Sequence, residues 1–377
     1  MGVTGDDMDN ISSFPRTVAG VCLAATLRQS SDGRVKLSVR AIPGYDATRV
    51  TVPFGGGGHK GAAGATLPSP LEEAAKAVEE VMLARSKRYP MNGIVIVDKP
   101  RGWTSQDVTA RLRRVFGTRR IGHGGTLDPM ATGVLPVFVG RATRAVEFFE
   151  HARKEYVTLL RPGVTTDTQD ITGTVLSSHE VQLDDEKIRA ALAPFRGEIL
   201  QIPPMYSALK VNGQKLCDLA RRGREVERRP RPITIHALEY LGMDNGCIRL
   251  RVDCSKGTYI RTLCQDIGDA LGCGGCMEQL RRTRAGEYDL SRAVPLETLL
   301  EAEDPARYLR PVDSMFARLP AVTLTANQEK RCRNGNSFSL PLADGQYRAY
   351  AQGGEFLMLA QVSDGKMETI KSFFDVE

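Results

Sequence analysis

The sequence predicts an α+β protein of two or three domains, and three observations carry that prediction. Strand-like runs come in neighbouring pairs joined by Gly-containing turns, at Ser31-Asp32-Gly33 and Asn245-Gly246, which is the signature of antiparallel pairing. Amphipathic helical stretches are interspersed with them: 71–88 with Leu71, Ala74, Ala75, Val78, Val81 and Met82 on one face, and 183–195 with Ile188, Leu192 and Phe195 on another. Finally, 377 residues allow more than one core, and the composition changes at two places, a polar junction at 86–90 and a run of short strands after about Ala317.

Charge and cysteine usage narrow the class. Fifty-one Lys and Arg against 45 Asp and Glu leave a net charge of +6, a mild excess that matters through its distribution. Arg221, Arg222, Arg224, Arg228, Arg229 and Arg231 crowd into eleven residues, as a solvated loop does and as a phosphate-contact strip also does. The eight cysteines form no regular framework, and the single C-x-x-C, Cys273 and Cys276, has no partner pair at zinc-site spacing, so neither a metal nor another cofactor is expected. No apolar run reaches about 18 residues and no leader is evident, so the expectation is a soluble, cytoplasmic monomer with reduced thiols.

Taken in order, residues 1–13 are polar, and strands are expected over 17–28 and 34–40. Gly55-Gly56-Gly57-Gly58-His59-Lys60-Gly61 then offers successive backbone N–H groups and a lysine to an anion, making Gly57, Gly58 and His59 candidate contacts; a turn without a ligand fits equally well. Gly61 follows Lys60 where a P-loop requires Ser or Thr. Together with the strands and the 71–88 helix, this run resembles the GGGHxxAAG motif of the DHH-associated domain, the substrate-binding half of DHH-family phosphoesterases. The catalytic half of that family, with its Asp-His-His triplet, is absent, so the resemblance implies an accessory segment over 1–88.

After the junction, 94–97 reads as a buried strand, and Thr104 with Asp107 forms a capping box for a helix that buries Val108, Leu112 and Val115 and exposes Arg111, Arg113 and Arg114. Gly122 to Gly140, GHGGTLDPMATGVLPVFVG, holds one carboxylate, Asp128, between glycines and Pro129 on a stiff loop running into an apolar strand. Pro136 suits an edge or bulge better than a central ladder. On these residues alone, Asp128 reads equally as a turn-capping aspartate. A helix is expected over 142–151, strands over 154–159, 233–241 and 248–254, and a helix opened by residues 255–263.

Six stretches together resemble the tRNA pseudouridine synthase B family: Lys99-Pro100-Arg101-Gly102-Trp103-Thr104-Ser105, Gly124 to Gly133 around Asp128, the Lys154–Asp170 segment with Tyr156 and Thr166-Asp167-Thr168, Gln201 to Lys210, Ser255 to Leu263, and Leu280-Arg281-Arg282-Thr283. The resemblance implies a pseudouridine synthase fold over 91–312, with a central mixed, mostly antiparallel sheet flanked by helices, and a PUA-like β-domain over 313–377 that grips RNA. It also implies that the T stem-loop of tRNA is the partner and uridine-55 the target. Asp128 is then the catalytic residue, Arg261 its ionic partner, and Tyr156 the neighbour of the target base. Leu280 lies beneath that base, His123 sits where the base leaves its stack, and Lys99, Gly257 and Arg281 are substrate contacts. A guanidinium beside a buried carboxylate favours its charged form, so Arg261 is expected to keep Asp128 ionised.

The reaction breaks the C1′–N1 bond, turns the uracil and joins C5 to C1′. Asp128 either attacks C1′ or removes the 2′ proton, and the residues do not separate these. Two other classes compete. A non-catalytic RNA-binding or chaperone protein accounts for the arginine run but not for a buried acid with an arginine partner. A nucleotide phosphoesterase fragment, suggested by residues 55–64, lacks its metal ligands. The same chemistry on guide-directed ribosomal RNA is a closer variant, against which the absence of those relatives' extended tails counts.

Overall fold

The computed structural model describes residues 21, 23–41, 45–68, 70–86, 91–207, 209–211, 213–302 and 304–374. The polar residues 1–13, the start of the first expected strand at 17–20 and the junction residues 87–90 lie outside them. The chain forms two compact units, one of Ile94–Val139 with Ala145–Arg310, the other of Met1–Gly93, Gly140–Arg144 and Pro311–Glu377.

In the latter unit, β1 (Leu23–Gln29) and β2 (Val35–Ala41) pair antiparallel across a turn in which Gly33 takes φ +81°. Alternation in β2 buries Val35, Leu37, Val39 and Ala41. β3 (Gly57–His59) and β4 (Ala62–Leu67) complete a sheet of order β1-β2-β4-β3. The Leu71–Ser86 helix adds Ala74 and Val78 to that core, but Leu71, expected on the same face, is 38% exposed because it begins the first turn.

The other unit is built on one mixed sheet. β5 (Gly93–Lys99) leads to the Ser105–Val115 helix, whose Thr104–Asp107 capping box forms as expected. β6 (Ile121–His123), β7 (Thr132–Val139) and β8 (Lys154–Pro162) follow, then a small hairpin of β9 (Val164–Thr166) and β10 (Val175–Ser178). The Asp185–Leu192 helix, capped by Asp184, precedes β11 (Gly197–Gln201), the short pair β12 (Lys210–Val211) and β13 (Gln214–Lys215), and the long hairpin of β14 (Arg231–Asp244) and β15 (Cys247–Cys254). Asn245 and Gly246, at φ +48° and +78°, make the turn of that hairpin. The Ile260–Ala270 helix, β16 (Gly275–Ala285), β17 (Tyr288–Asp289) and β18 (Val294–Pro295) close the unit. The sheet runs β11-β14-β15-β8-β16-β7-β5-β18, with β6 on β7 and β17 on β16. Of the pairs with a defined register, only β16–β7 and β18–β5 are parallel.

Two expectations change here. β7 is a central strand despite Pro136, because its register with β16 covers only Thr132 and Gly133 while β6 takes over from Val137; at Pro136 the chain needs only an acceptor, and its carbonyl receives the Gly124 N–H at 2.8 Å. The helix expected over 142–151 is instead a 3₁₀ segment, Gly140–Ala145, followed by a single α turn, Val146–Phe149.

The C-terminal strands β19 (Ala321–Thr323), β20 (Phe338–Ser339), β21 (Gly345–Tyr350), β22 (Phe356–Ser363) and β23 (Lys366–Ser372) form a five-stranded sheet with its own core around Ala349, Leu357, Ala360 and Val362. Asn334-Gly335 ends an Ala326–Arg333 helix capped by Thr325. Among the described residues no helix is long and apolar enough to cross a membrane.

Candidate active site

The loop carrying Asp128 is clamped on both sides of that residue. Ser105 Oγ accepts the Leu127 N–H at 2.9 Å and donates to the Leu127 carbonyl at 3.3 Å, while the Pro129 carbonyl accepts the Gly102 N–H at 2.7 Å. Lys99, expected to contact substrate, is fully buried and donates to the carbonyls of Pro100 (3.0 Å) and Pro129 (3.4 Å), so it holds the loop from within and presents no surface to RNA. Burial brings its amine down to about 8; the Arg282 charge adds to the fall and Asp128 opposes it.

Arg261 arrives from the first turn of the Ile260–Ala270 helix, whose Ile260, Leu263, Cys264 and Ile267 form the buried stripe. Its Nε lies 3.0 Å from Asp128 Oδ2, and the guanidinium is 7% exposed against 36% for the Asp128 side chain, which keeps an open approach. Two more anchors fix the fork: Nη2 donates to the Tyr206 carbonyl at 2.8 Å and Nη1 to the Thr168 carbonyl at 3.3 Å. Gln201 pins the backbone just ahead, accepting the Tyr259 N–H at 2.8 Å and donating to its carbonyl at 3.1 Å.

A second carboxylate completes the group. Asp170 Oδ2 lies 3.6 Å from Arg261 Nη1 with its side chain 6% exposed, and its Oδ1 accepts from the Thr168 hydroxyl and the Thr172 N–H, both at 3.0 Å. The 167–172 turn is docked on β16 by Met277 N to Gln169 O (3.0 Å) and Ile171 N to Met277 O (2.9 Å). The sequence motif contains this turn but assigns Asp170 no role; the signal for one is the recurrence of acid, Asp167 and Asp170, between threonines. Arg261 therefore sits between two acids, and its pull toward an ionised Asp128 acts against burial and a neighbouring carboxylate. Burial lifts the Asp128 carboxyl above the ordinary range; Arg261 pulls it down, Asp170 pushes it up again and Lys99 pulls it down, with a net upward shift.

Tyr156 on β8 is 9% exposed and stands opposite Arg282 of β16 in register. Burial raises its hydroxyl pKa, Arg282 lowers it by charge and by a side-chain hydrogen bond, and the Asp128 charge raises it again. Leu280, 8% exposed and two residues before Arg282, shares the sheet face of Tyr156. By the same alternation Arg281 turns to the opposite face, where Nη2 binds Asp98 at 2.8 Å and Nη1 reaches the Thr132 hydroxyl at 3.3 Å; it does not join the Asp128 group. His123 on β6 has a buried Nδ1 with no hydrogen-bond partner, and burial and then Arg282 push its pKa down. Gly257, at φ +80°, is an exposed turn position leading into the Arg261 helix.

In the N-terminal sheet, Gly57, Gly58 and His59 are exposed on β3. The glycine run also has a local cause. A Cβ on Gly56 would fall 2.3 Å from the Gly64 carbonyl oxygen, and one on Gly58 2.6 Å from that of Ala62, so β3 pairs with β4 only as glycine. The arginine run at 221–231 is exposed except for Arg228, which donates to the Pro203 carbonyl at 3.1 Å.

What the geometry offers is one accessible carboxylate, aimed by an arginine that a second acid restrains, beside a buried tyrosine and a leucine. Such a carboxylate suits nucleophilic or proton-abstracting work on a group that enters the opening.

Comparison with known proteins points the same way. Residues 113–260 match the family model for the N-terminal domain of TruB family pseudouridylate synthases, residues 261–317 the tRNA pseudouridylate synthase B C-terminal domain, and residues 1–84 the DHHA1 domain. The tRNA pseudouridine synthase B of Aromatoleum aromaticum is 46% identical over 272 residues, 71% of this chain and 88% of that one. That of Clostridium kluyveri is 40% identical over 289 residues, 75% of this chain and all of its own length. Among solved structures, a Cbf5–Nop10–Gar1 complex aligns with a TM-score of 0.58 at 26% identity, covering 76% of this chain and 86% of that one.

Proposed function

Because the chain belongs to the TruB family of pseudouridylate synthases, we propose that it isomerises uridine-55 in the T loop of tRNA to pseudouridine, with Asp128 as the catalytic residue. The isomerase activity and the tRNA substrate follow from that membership; the target position and the residue roles are our reading. The observation that carries them is Asp128 held at 3.0 Å by Arg261 with its side chain still 36% exposed, an arrangement with little purpose in a protein that only binds.

In this reading the uridine leaves its stack, at a cost of a few kcal/mol, and enters between Tyr156 and Leu280. Asp128 acts on the ribose as nucleophile or 2′ base, and Arg261 keeps it in one rotamer through the reaction. Tyr156 meets the base by stacking or hydrogen bonding and assists loss of the C5 proton. His123 fills the place that the base leaves, and Gly257 gives the backbone freedom near the RNA. Three segments divide the work: an accessory segment over 1–88, with Gly57, Gly58 and His59 as anion contacts; the catalytic domain over 91–312; and the β-domain over 313–377 on the tRNA stem. The protein works as a cytoplasmic monomer.

The test is release of label from T-arm RNA carrying uridine tritiated at C5. Asp128→Asn should bind the RNA and release none. Release at the wild-type rate would remove Asp128 from the mechanism, and an inactive wild-type protein would remove the function itself.

A further inference from the structure

Arg282 lies at the centre of the site and no role above uses it. It is 1% exposed, one of the largest fully buried side chains, and no carboxylate pairs with it among the described residues. Burying an unpaired guanidinium is costly, so its geometry calls for a reason. Its Nε donates to the Val134 carbonyl at 2.6 Å, and its Nη2 to the Gly125 carbonyl at 3.1 Å. Gly125 opens the loop that ends at Asp128, and Val134 lies on the strand that the loop feeds. One fork therefore closes the loop on itself, from one side of Asp128 to the other.

The backbone around it is built to admit this. Gly133, at φ +102°, stands beside Arg282 in the parallel β7–β16 register, and a Cβ there would fall 2.2 Å from the Arg282 carbonyl oxygen. Gly125 takes φ +100°, a backbone conformation that favours glycine, where its carbonyl meets the guanidinium. On the other neighbouring strand Arg282 faces Tyr156 in register.

We propose that Arg282 is a positioning residue of the isomerisation: its guanidinium ties the 125–134 loop to β16 at the position facing Tyr156 and so sets the distance between that ring and the Asp128 carboxylate. This rests on the function proposed above and extends it to a residue that touches no substrate. The fork also has an electrostatic consequence. Of the titratable groups facing it, Lys99 on β5, His123 on β6 and Lys154 and Tyr156 on β8 all have their pKa values lowered by its charge, with Lys99 and Lys154 brought to about 8, mainly by burial. Asp128, Asp170 and Arg261 are the remaining charged groups of the site.

Two variants separate the fork from the charge. Arg282→Lys keeps the cation but loses the planar two-carbonyl grip; Arg282→Gln loses both. In single-turnover assays on T-arm RNA, each should lower the rate by about 10²-fold, the scale expected for a misplaced reacting group, while RNA affinity stays close to wild type. Only Arg282→Gln should move the alkaline limb of the pH–rate profile upward, because the lysines lose a repelling cation and the Tyr156 anion loses a stabilising one; a purely architectural side chain would scale the rate evenly at every pH. Far-ultraviolet circular dichroism and retained RNA affinity show that a variant is folded. If Arg282→Gln does not fold, Arg282→Lys decides alone by its rate. Folded variants within twofold of an active wild type would overturn the inference and leave the proposed function standing, whereas an inactive wild type would remove that function first.

Discussion

Replacing Asp170 by Asn takes one charge out of a buried chain of three while keeping its shape. The carboxylate lies 3.6 Å from Arg261 Nη1, with the two side chains 6% and 7% exposed. At an effective dielectric constant near 20, that separation corresponds to an attraction of about 4–5 kcal/mol. Three terms offset it: Arg261 retains Asp128 at 3.0 Å, the repulsion between the two acids disappears, and an amide is easier to bury than a carboxylate. The expected net cost is about 2 kcal/mol of stability, below the roughly 3–5 kcal/mol lost when a buried ion is left with no partner. The effect on Asp128 has the opposite sense. Asp170 raises the pKa of Asp128, so removing its charge lets Asp128 ionise at lower pH and moves the acid limb of the reaction downward. The plateau above that limb should fall by about 10²-fold, because a guanidinium released on one side no longer fixes the Asp128 rotamer. Single-turnover rates across pH, with urea denaturation of the same samples, measure all three quantities. An unchanged plateau and denaturation midpoint would refute the restraint, and an acid limb moving upward would refute the electrostatics.

Further outcomes follow from the same structure. Gly133→Ala places a methyl group at φ +102° and 2.2 Å from the Arg282 carbonyl oxygen, so it should cost about 3 kcal/mol or more, read by chemical denaturation. Asp266, on the Arg261 helix, has its carboxyl pushed up to about 6 by burial and then by Asp269. A raised carboxylate pKa means that the folded state holds the proton more tightly, so stability is full below the ordinary carboxylate range and declines as pH rises to about 6. Asp266→Asn should flatten that decline, gaining on the order of 1 kcal/mol at neutral pH once residual exposure is allowed for; equal melting temperatures for the two proteins on both sides of the window would contradict this. Residues 91–377 alone should modify tRNA at the full rate, and a large loss in that assay would give the N-terminal segment a part in the reaction.

Much of the site was legible because it is local. The Thr104–Asp107 capping box, the Asn245-Gly246 turn and the Asp128 loop are each specified within a few residues, by side-chain capping, positive φ and the stiffness of proline. Family motifs then named Asp128, Tyr156 and Arg261, and the structure brings all three into one neighbourhood. The misplaced residues are those whose role depends on what lies opposite. Lys99 and Arg281 are cations like any other in the sequence; strand alternation and burial put one beneath the loop and the other on the far face of the sheet. Asp170, Gln201 and Arg282 lie inside motifs that show no role for them, because the partners that give them one lie from 58 to 157 residues away.

The sequence by itself determined the chemistry available, one carboxylate on a loop stiffened by glycines and a proline, because those properties reside in residue type and local backbone, while the arginine that pairs with it was implied only by the family resemblance. Only the tertiary structure decided which charges share low-dielectric space, and with them the direction of each pKa, because strand register sets that proximity and no sequence spacing records it.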